Sequence, residues 1–266
     1  MKNYSIKTAL ALLLVITITA CSNNDNETIT GTGALALEFD NAFKNNNLIL
    51  ISQTNTTASN EVLTISTAKY IVSNIVLTKE DGTIFAYPKS ESYFIIDEAT
   101  PASLITKLQN IPAGNYTKVT FGIGIDKAQW ELGATGQGDF LGKAQAAKMM
   151  WSWTAGYKFL ALEGTFTSNT ITTPTPFMIH TGQTGTAYNY TQITLDLPTK
   201  ALVRTNISPD IHIITDLSKI VDGQNTIKLS DNTMGGMGAM IMGGTMLESI
   251  TTNVSKMFRV DHVHND

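Results

Sequence analysis

Cysteine is almost absent from this sequence: one residue, Cys21, stands among 266. A single thiol can form neither an intramolecular disulfide nor a thiolate metal cluster. If lipidation also consumes this thiol, any soft-metal site must use methionine sulfur and histidine nitrogen. Charge is also scarce, with 15% charged residues, a net charge of -4 and a pI near 5.6. The lysines are scattered among Asp and Glu, so the sequence predicts no nucleic-acid partner.

Linkers and enzyme signatures are missing as well. The chain has seven prolines, and no Pro/Ser-rich linker or charge run divides it after the N-terminal segment, which favours one large domain. There is no nucleophile elbow, no phosphate-binding loop and no His-Glu-x-x-His pair, and the run 122–124 lacks the further glycine of a dinucleotide site. The acidic residues are too scattered to identify a glycosidase pair. These absences predict a binding protein and not an enzyme.

The N-terminal segment has the features of a bacterial lipoprotein signal. Two lysines precede an apolar run at 9–18 that is too short to span a bilayer, and a small residue comes directly before Cys21. We therefore expect a signal peptide at 1–20, lipidation of Cys21 and a flexible polar tether at 21–32. This predicts an outer-membrane lipoprotein that faces the periplasm or the cell surface. An N-terminal anchor helix with an incidental cysteine is the alternative.

Residues 33–266 have the patterning of an all-β domain. Many short segments alternate apolar and polar residues and are separated by polar turns, which predicts an antiparallel β-sandwich of Ig-like or jelly-roll-like type with a few short helices. A capping hydroxyl at Thr100 followed by a proline predicts a helix over 101–108. We also expect an apolar run at 48–51 that follows a turn of asparagines, and a polar loop at 53–60. A long bent strand is expected at 62–78, a largely irregular stretch at 126–147, and a short helix within 246–258.

Two of the three tryptophans fall in the segment 149–164. Trp151 and Trp153 are two residues apart, so on an extended backbone both rings point to the same face. One interpretation is that the rings fill the middle of the sheet-on-sheet core. The other is that a tryptophan pair beside two methionines belongs to a redox or metal centre. Composition leaves both open.

Four histidines are the candidate nitrogen ligands. His262 and His264 are two residues apart, a spacing that puts both imidazoles on one side of an extended strand, where they can chelate one ion. A solvated chain end is the alternative. His180 ends a predicted strand, and His212 lies among isoleucines. Each of these two is either a ligand or a histidine that is satisfied in the core or at a sheet edge.

Methionine is concentrated in one short stretch. Thioether sulfur favours Cu(I), and neighbouring glycines would let several sulfurs converge. The alternative is that the methionines fill gaps or form one face of a buried helix, which the glycines would weaken. We expect a separate strip for Cu(I) docking, formed by five of the ten methionines within thirteen positions: Met234, Met237, Met240, Met242 and Met246.

Motifs along nearly the whole mature chain resemble those of a known family. The central motif is the run at 150–164. Matching stretches lie in order on both sides of it: Leu37–Asp40, Tyr70–Leu77 with Asp81-Gly82, Ile111–Tyr116, Phe121–Asp126, Phe177–Gly182, Asp210–His212 with Asp216-Leu217, and Met257–Asp266. Together they resemble the MbnP-like family of copper-binding periplasmic and surface proteins (MbnP-, CorA- and MopE-related), and the chain is closer to its bacteroidete branch.

The resemblance implies a copper site. Methanotroph members of the family hold one copper ion with two histidines and a tryptophan that is oxidised to kynurenine, but these residues have no one-to-one match in this chain. A kynurenine would also need a partner oxidase. The site that we expect brings imidazoles and indole rings to one rim: His180 with His262 and His264, His212 as a further candidate, and Trp151 or Trp153 as the flanking or modified ring.

The sequence as a whole predicts a lipid-anchored copper-binding protein of the cell envelope that serves copper acquisition, storage or transfer. The expected partners are the membrane through lipidated Cys21, the copper ion, and a haem-containing oxidase or a metal-transfer protein. Two other functions stay open. One is a surface adhesion module in which the histidines are incidental, and the other is a redox partner that passes electrons through its tryptophans to a haem protein.

Overall fold

The computed structural model describes residues 29–185 and 187–266, where the chain forms sixteen strands and five short α-helices. The predicted signal peptide, Cys21 and most of the predicted tether lie outside the described residues. In chain order the strands β1–β16 are Thr32–Phe43, Asn46–Asn47, Thr54–Thr56, Val62–Lys79, Ile84–Ala86, Tyr93–Asp97, Ile105–Pro112, Gly114–Ile123, Met150–Ser152, Gly156–Thr167, Thr175–Thr184, Ala187–Tyr188, Thr191–Val203, Asp210–Asp216, Ala239–Ile241 and Phe258–His264. The helices α1–α5 are Lys127–Trp130, Gly133–Gly136, Asp139–Ala146, Lys219–Asp222 and Met246–Val254.

The strands form two sheets. In the small sheet β16, β14 and β1 are neighbours in that order, and both β2 and β7 pair with β1. The large sheet has the order β12-β11-β10-β4-β8-β13, with β15 on β11, β9 on β10, and β3, β5 and β6 on β4. Most pairs are antiparallel, whereas β1–β14 and β11–β15 are parallel. The predicted all-β sandwich is confirmed.

The two sheets enclose a hydrophobic core because their strands alternate. Ile211 and Ile213 of β14 and Ile179 of β11 are almost fully buried in this core. Phe39 of the small sheet packs edge-to-face on Phe121 of the large sheet, with ring centroids 5.7 Å apart. Residues that alternate with the core positions point away from it. Each sheet therefore has an outer face on which polar and sulfur-containing side chains are available.

A second apolar cluster covers part of the outer face of the large sheet. In β10, Phe159 and Ala161 belong to this outer cluster, whereas Leu160 and Leu162 belong to the central core. The period-two alternation of side chains along β10 produces this division into two faces. Phe140 of α3 packs on the same cluster, so the stretch that was expected to be mainly irregular contains a helix that shields one side of the large sheet.

The helix predicted over 101–108 is wrong. A short 3-10 turn occupies Pro101–Ser103, and β7 follows it directly. Thr106 and Leu108 are buried while the residues beside them are exposed, because β7 pairs with β1 and presents alternate side chains to the core. Pairing across the sheet has outweighed the local start signal at Thr100, whose side chain makes no capping hydrogen bond.

Two further segments differ from the sequence patterns. The apolar run at 48–51 is not a strand, since the pairing with β1 falls on Asn46–Asn47 just before it. The polar loop at 53–60 contains the short strand β3, which pairs with β4.

The helix predicted after Met246 is confirmed as α5, which buries Leu247 and Ile250. Within the described ranges, no helix has the length and apolar character that a membrane crossing needs.

Candidate metal centre

The outer face of the small sheet brings three of the four histidines together. In β14, Ile211 and Ile213 face the core, so His212 between them faces outward. β16 runs antiparallel to β14 and places His262 opposite His212. His264 lies two residues further along β16 and therefore on the same side, as its spacing predicted.

A β-bulge adds a carboxylate to this surface. The register between β14 and β16 shifts, so that His212 lies opposite His262 whereas Ile213 lies opposite Val260. Asp261 is therefore an extra residue with no partner of its own on β14, and it lies beside His262. We call the surface formed by His212, Asp261, His262 and His264 the histidine face.

The imidazoles of the histidine face form a row across the two strands. Ring centroids are 4.7 Å apart for His212 and His262, and 4.5 Å apart for His262 and His264. One ligand atom from each of His212, Asp261 and His262 can be chosen so that all three lie within 4.8 Å of one another. Groups at this spacing need only small side-chain rotations to converge on a single ion.

Hydrogen bonding determines which imidazole nitrogen of His262 is free to bind a metal ion. His262 Nδ1 donates a hydrogen bond of 2.8 Å to Asp261 Oδ2. That bond and the neighbouring Arg259 guanidinium hold the pKa of Asp261 below its ordinary value. An ionised carboxylate only accepts, so the proton of neutral His262 is on Nδ1 and its Nε2 keeps a free lone pair. A carboxylate behind an imidazole is the usual partner of a metal-binding histidine.

His212 carries an unsatisfied atom. Its Nδ1 is buried and has no hydrogen-bond partner in the part of the chain that the structure describes. The nearest carboxylates are Asp261, 3.7 Å from Nδ1, and Asp40, 3.6 Å from Nε2, and both lie beyond hydrogen-bond distance. Buried polar atoms are almost always paired, so an orphan nitrogen at one end of a row of imidazoles points to a ligand.

Further carboxylates flank the row of imidazoles. Glu38 lies next to His212 across the β1–β14 pair, and Asp210 lies opposite His264. Burial raises the pKa of Asp210, the Glu38 charge adds to this effect, and the nearby histidines oppose it. The acidic groups make this surface favourable for a bound cation.

His180 lies on the opposite outer face of the sandwich. It follows the core residue Ile179 in β11 of the large sheet, so it faces away from the core. The predicted common site of His180 with His262 and His264 is therefore not formed, because the core separates them. Spacing along each strand shows which side a residue takes, but it does not show which sheet the strand joins.

The surroundings of His180 nevertheless resemble those of a ligand. The residue is only 3% exposed, and its Nε2 donates a hydrogen bond of 2.7 Å to Glu163 Oε1 on β10. This bond lowers the pKa of Glu163. The proton of neutral His180 is thus on Nε2, which leaves a lone pair on Nδ1, and Nδ1 is buried without a partner. Glu163 therefore orients His180 as Asp261 orients His262.

The tryptophans lie outside the core. Trp151 in β9 covers the backbone of Gly182 so closely that a Cβ there would come within 2.8 Å of the indole. The centroid of its ring is 6.0 Å from that of His180. Trp153 follows β9 in a turn and stacks on Trp130 of α1, with centroids 4.3 Å apart. The interpretation that these rings fill the core is wrong, because the β9–β10 hairpin carries them to the outer face of the large sheet.

The five clustered methionines do not form one strip. Met234 and Met237 flank a 3-10 turn and are 55% and 59% exposed. Met246 begins α5 and packs against the core. Met240 lies in β15 and Met242 directly follows this strand, both at half-buried positions. Two of the five methionines are therefore exposed, one packs against the core, and two lie in or directly after a strand of the large sheet.

Gly238 allows β15 to pack against the large sheet. Its φ is 80° and its ψ is -157°, a combination that is essentially restricted to glycine. A Cβ at this position would lie 2.0 Å from the carbonyl oxygen of Pro176. The glycine is needed because the backbone passes so close to the start of β11.

Three residues near the histidines were missing from the sequence prediction. Asp261 depends on a bulge, and Glu163 depends on the register between β10 and β11, neither of which can be derived from spacing. Met178 lies two residues before His180 in β11 and shares its side of the sheet. This period-two spacing was visible in the sequence and would have identified Met178.

Comparison with known proteins gives the family. The family model for MbnP matches residues 32–242, which is most of the chain. The chain belongs to the MbnP family. Among solved structures, MbnP from Methylosinus trichosporium has 12% sequence identity and a TM-score of 0.46, with 81% of this chain and 82% of that chain covered. No curated protein matches the chain.

The MbnP match covers the surroundings of His180 completely but only part of the histidine face. His180, Trp151, Trp153 and His212 lie within the matched range, which ends at 242. His262 and His264 lie on β16, beyond that range. The histidine face of this MbnP-family chain is therefore built jointly by a strand within the family match and a strand beyond it. Three imidazoles with a carboxylate partner suit a borderline metal ion such as copper.

Proposed function

We propose that this protein binds copper in the cell envelope, for acquisition, storage or transfer, without turning over a substrate. The observation that carries the proposal is the row of three imidazoles, His212, His262 and His264, whose neighbouring ring centroids are 4.7 and 4.5 Å apart. Imidazole nitrogen is a good donor to Cu(II), and copper binds more tightly than the other divalent first-row metals at most nitrogen sites.

The surrounding groups support this assignment. The unpartnered Nδ1 of His212 provides one nitrogen, and Asp261 holds His262 in the tautomer that leaves Nε2 free. Carboxylates on both sides of the row compensate the charge of a divalent ion. His262 has 42% of its side chain exposed, so copper can reach the site from solvent without any movement of the strands.

Copper binding at the histidine face is tested by titration with Cu(II), followed by electron paramagnetic resonance and by metal analysis of the washed protein. We expect one tightly bound Cu(II) with nitrogen hyperfine coupling. His262→Ala/His264→Ala should weaken this binding by about a hundredfold or more, since two of three imidazoles are removed. Lys256→Ala, an exposed change just before β16, is the matched control. Unchanged Cu(II) binding in the double variant would contradict the site.

The envelope location is part of the same proposal and has its own test. The lipoprotein-like N-terminal segment supports anchoring through Cys21. The protein should fractionate with membranes when expressed with its own N-terminus in a bacterium. Cys21→Ser should release it into the soluble fraction, because no acyl chain would then be attached. A Cys21→Ser protein that stays with the membrane would argue against lipid anchoring.

Electron exchange with a haem protein is a second candidate function. It is favoured by the stacked pair Trp130 and Trp153, with Tyr157 packed edge-on to Trp130 at 5.9 Å. Stopped-flow mixing of the Cu(I)-loaded protein with ferric cytochrome c tests this candidate: one electron passes from Cu(I) to Fe(III). Trp153→Phe should slow the reaction if the pair takes part, and an unchanged rate would remove it. Intact-mass measurement would show whether any tryptophan has become kynurenine.

A further inference from the structure

The outer face of the large sheet holds a second set of metal donors, which includes a methionine outside the Met-rich stretch. β15 pairs in parallel with β11 so that Met240 lies beside Met178, while Ile241 beside Ile179 faces the core. Met178 and Met240 therefore project from the outer face on adjacent strands, which are about 4.8 Å apart.

The next positions along the same two strands add two more donors. His180 follows Met178 by two residues and lies on the same side of β11. Met242 lies in the bend directly after β15 and lines the same cavity as Trp151, whose ring centroid is 6.0 Å from that of His180. We call the surface formed by Met178, His180, Met240 and Met242 the methionine face. It contains three thioethers and one imidazole on β11, on β15 and in the bend directly after β15.

His180 is prepared for a ligand on this surface. Glu163 accepts a hydrogen bond from Nε2, and the buried Nδ1 has no partner among the described residues. A neutral imidazole that is oriented by a carboxylate and has one free nitrogen has the form of a metal ligand. The site thus includes a buried nitrogen that none of the residues in the described ranges satisfies.

Trp151 covers one side of the methionine face, and a cavity gives access to it. The indole lies over Gly182 and beside His180. A cavity of about 910 Å³ is lined by Trp151 and Met242 together with Gly243 and Gly244 of the loop before α5. Neither glycine has another atom within 4 Å of an added Cβ, so this loop has room to move. An ion could enter from solvent between the indole and the thioether of Met242.

We propose that Met178, Met240, Met242 and His180 form a Cu(I) site with Trp151 beside it. Thioether sulfur and imidazole are donors that select Cu(I), and the face of an indole attracts a nearby cation. This centre goes beyond the copper site proposed at the histidine face and is separated from it by the core. The two centres differ in donors, since one offers nitrogen and oxygen and the other mainly sulfur.

The test uses the full-length protein, Cu(I) in competition with bicinchoninate under anaerobic conditions, and a pair of matched triple variants. Leucine replaces methionine in both, because this exchange nearly preserves volume and apolar character. The site variant is M178L/M240L/M242L. The control variant is M234L/M237L/M246L, which changes the three clustered methionines outside the methionine face.

We expect the site variant to bind Cu(I) about a hundredfold more weakly than the wild type, because one donor of four is left. The control variant should bind like the wild type. Equal losses in both variants, or no loss in the site variant, would overturn the proposal. Thermal unfolding of each variant shows whether the fold is kept.

A measurement on the unaltered protein avoids any dependence on the folding of variants. With ¹³C-methyl methionine, one equivalent of Ag(I), a redox-inert substitute for Cu(I), should shift the methyl signals of Met178, Met240 and Met242. The signals of Met234 and Met237 should stay in place, and the opposite pattern would refute the site. His262→Ala/His264→Ala should keep these shifts. If Cu(II) binding at the histidine face fails while the shifts appear, the methionine face stands alone.

Discussion

The two outer faces of the sandwich use the same arrangement with different donors. On each face a carboxylate accepts a hydrogen bond from a histidine, Asp261 from His262 and Glu163 from His180, at 2.8 and 2.7 Å. The histidine face adds imidazoles and carboxylates and is open to solvent. The methionine face adds thioethers, and its histidine is almost completely buried.

This difference shows how one core can serve two kinds of ligand chemistry. Strand alternation fixes which side chains leave the core, and the two sheets then present separate sets of donors in opposite directions. Exposed nitrogen and oxygen donors suit Cu(II), whereas sulfur donors in a covered position suit Cu(I). The core between the faces keeps the two sets from mixing, so a change on one face should leave the other unaffected.

The largest effect is expected from Gly238→Ala, which should damage the methionine face alone. The added Cβ meets the Pro176 carbonyl at a backbone conformation reserved for glycine, so β15 must detach or distort. We expect the free energy of unfolding in urea to fall by about 3 kcal/mol and Cu(I) binding to be lost. Gly236→Ala, where an added Cβ meets no atom within 4 Å, is the control and should change little. Full Cu(I) binding in Gly238→Ala would contradict the role of β15.

His212→Ala should disrupt the histidine face by removing its most buried imidazole. His212 provides the buried Nδ1 and lies opposite His262. We expect Cu(II) affinity to fall about a hundredfold, or about 2.8 kcal/mol, as measured by competition titration. Cu(I) uptake by the methionine face in the same variant is the internal control and should not change. A parallel loss of both activities would mean that the two faces are coupled.

A smaller and symmetrical effect is expected when the supporting carboxylates are neutralised. Asp261→Asn should weaken Cu(II) binding about tenfold, and Glu163→Gln should weaken Cu(I) binding about tenfold, since each removes the charged acceptor behind an imidazole. Each substitution should leave the other face at its wild-type affinity. Titration of both variants with both ions gives four affinities. A weaker Cu(I) affinity in Asp261→Asn, or a weaker Cu(II) affinity in Glu163→Gln, would contradict the independence of the two faces.

The smallest effect concerns the stability of the metal-free protein and its dependence on pH. Burial raises the pKa of Asp210 above its value in the unfolded chain, so the native state binds this proton more tightly. Stability is therefore lost as pH rises from the unfolded pKa through the folded one. Asp210→Asn should raise the free energy of unfolding at pH 7 by up to about 0.5 kcal/mol. The gain should vanish in strong acid, and a constant gain at every pH would exclude this explanation.

The sequence predicted those features that depend on alternation within one strand. The sandwich class, the long strand β4 and the shared side of His262 and His264 all follow from a period of two. The expectation that methionine and histidine would be the soft-metal donors followed from the single cysteine. Each of these needs only the side chain's position along its own strand.

What could not be predicted depends on which strands meet. His180 was expected beside His262 because no local pattern distinguishes a strand of one sheet from a strand of the other. The helix at 101–108 failed for the same reason, since pairing with β1 decided its conformation. Asp261 reaches the histidine face through a bulge between β14 and β16. Met178 lies beside Met240 because β11 and β15, which are far apart in the sequence, pair in parallel.

The final strand β16 gives the histidine face a mechanical consequence. It lies at the end of the small sheet's ladder and is bonded to β14 on one side. A strand with one ladder partner opens more readily than a central strand. Asn265, directly after β16, also accepts a hydrogen bond from Leu202 N and donates one to the Lys200 carbonyl of β13. An ion shared by His212 and His262 would tie the two strands together through their side chains. Loading with metal would then slow amide exchange along β16.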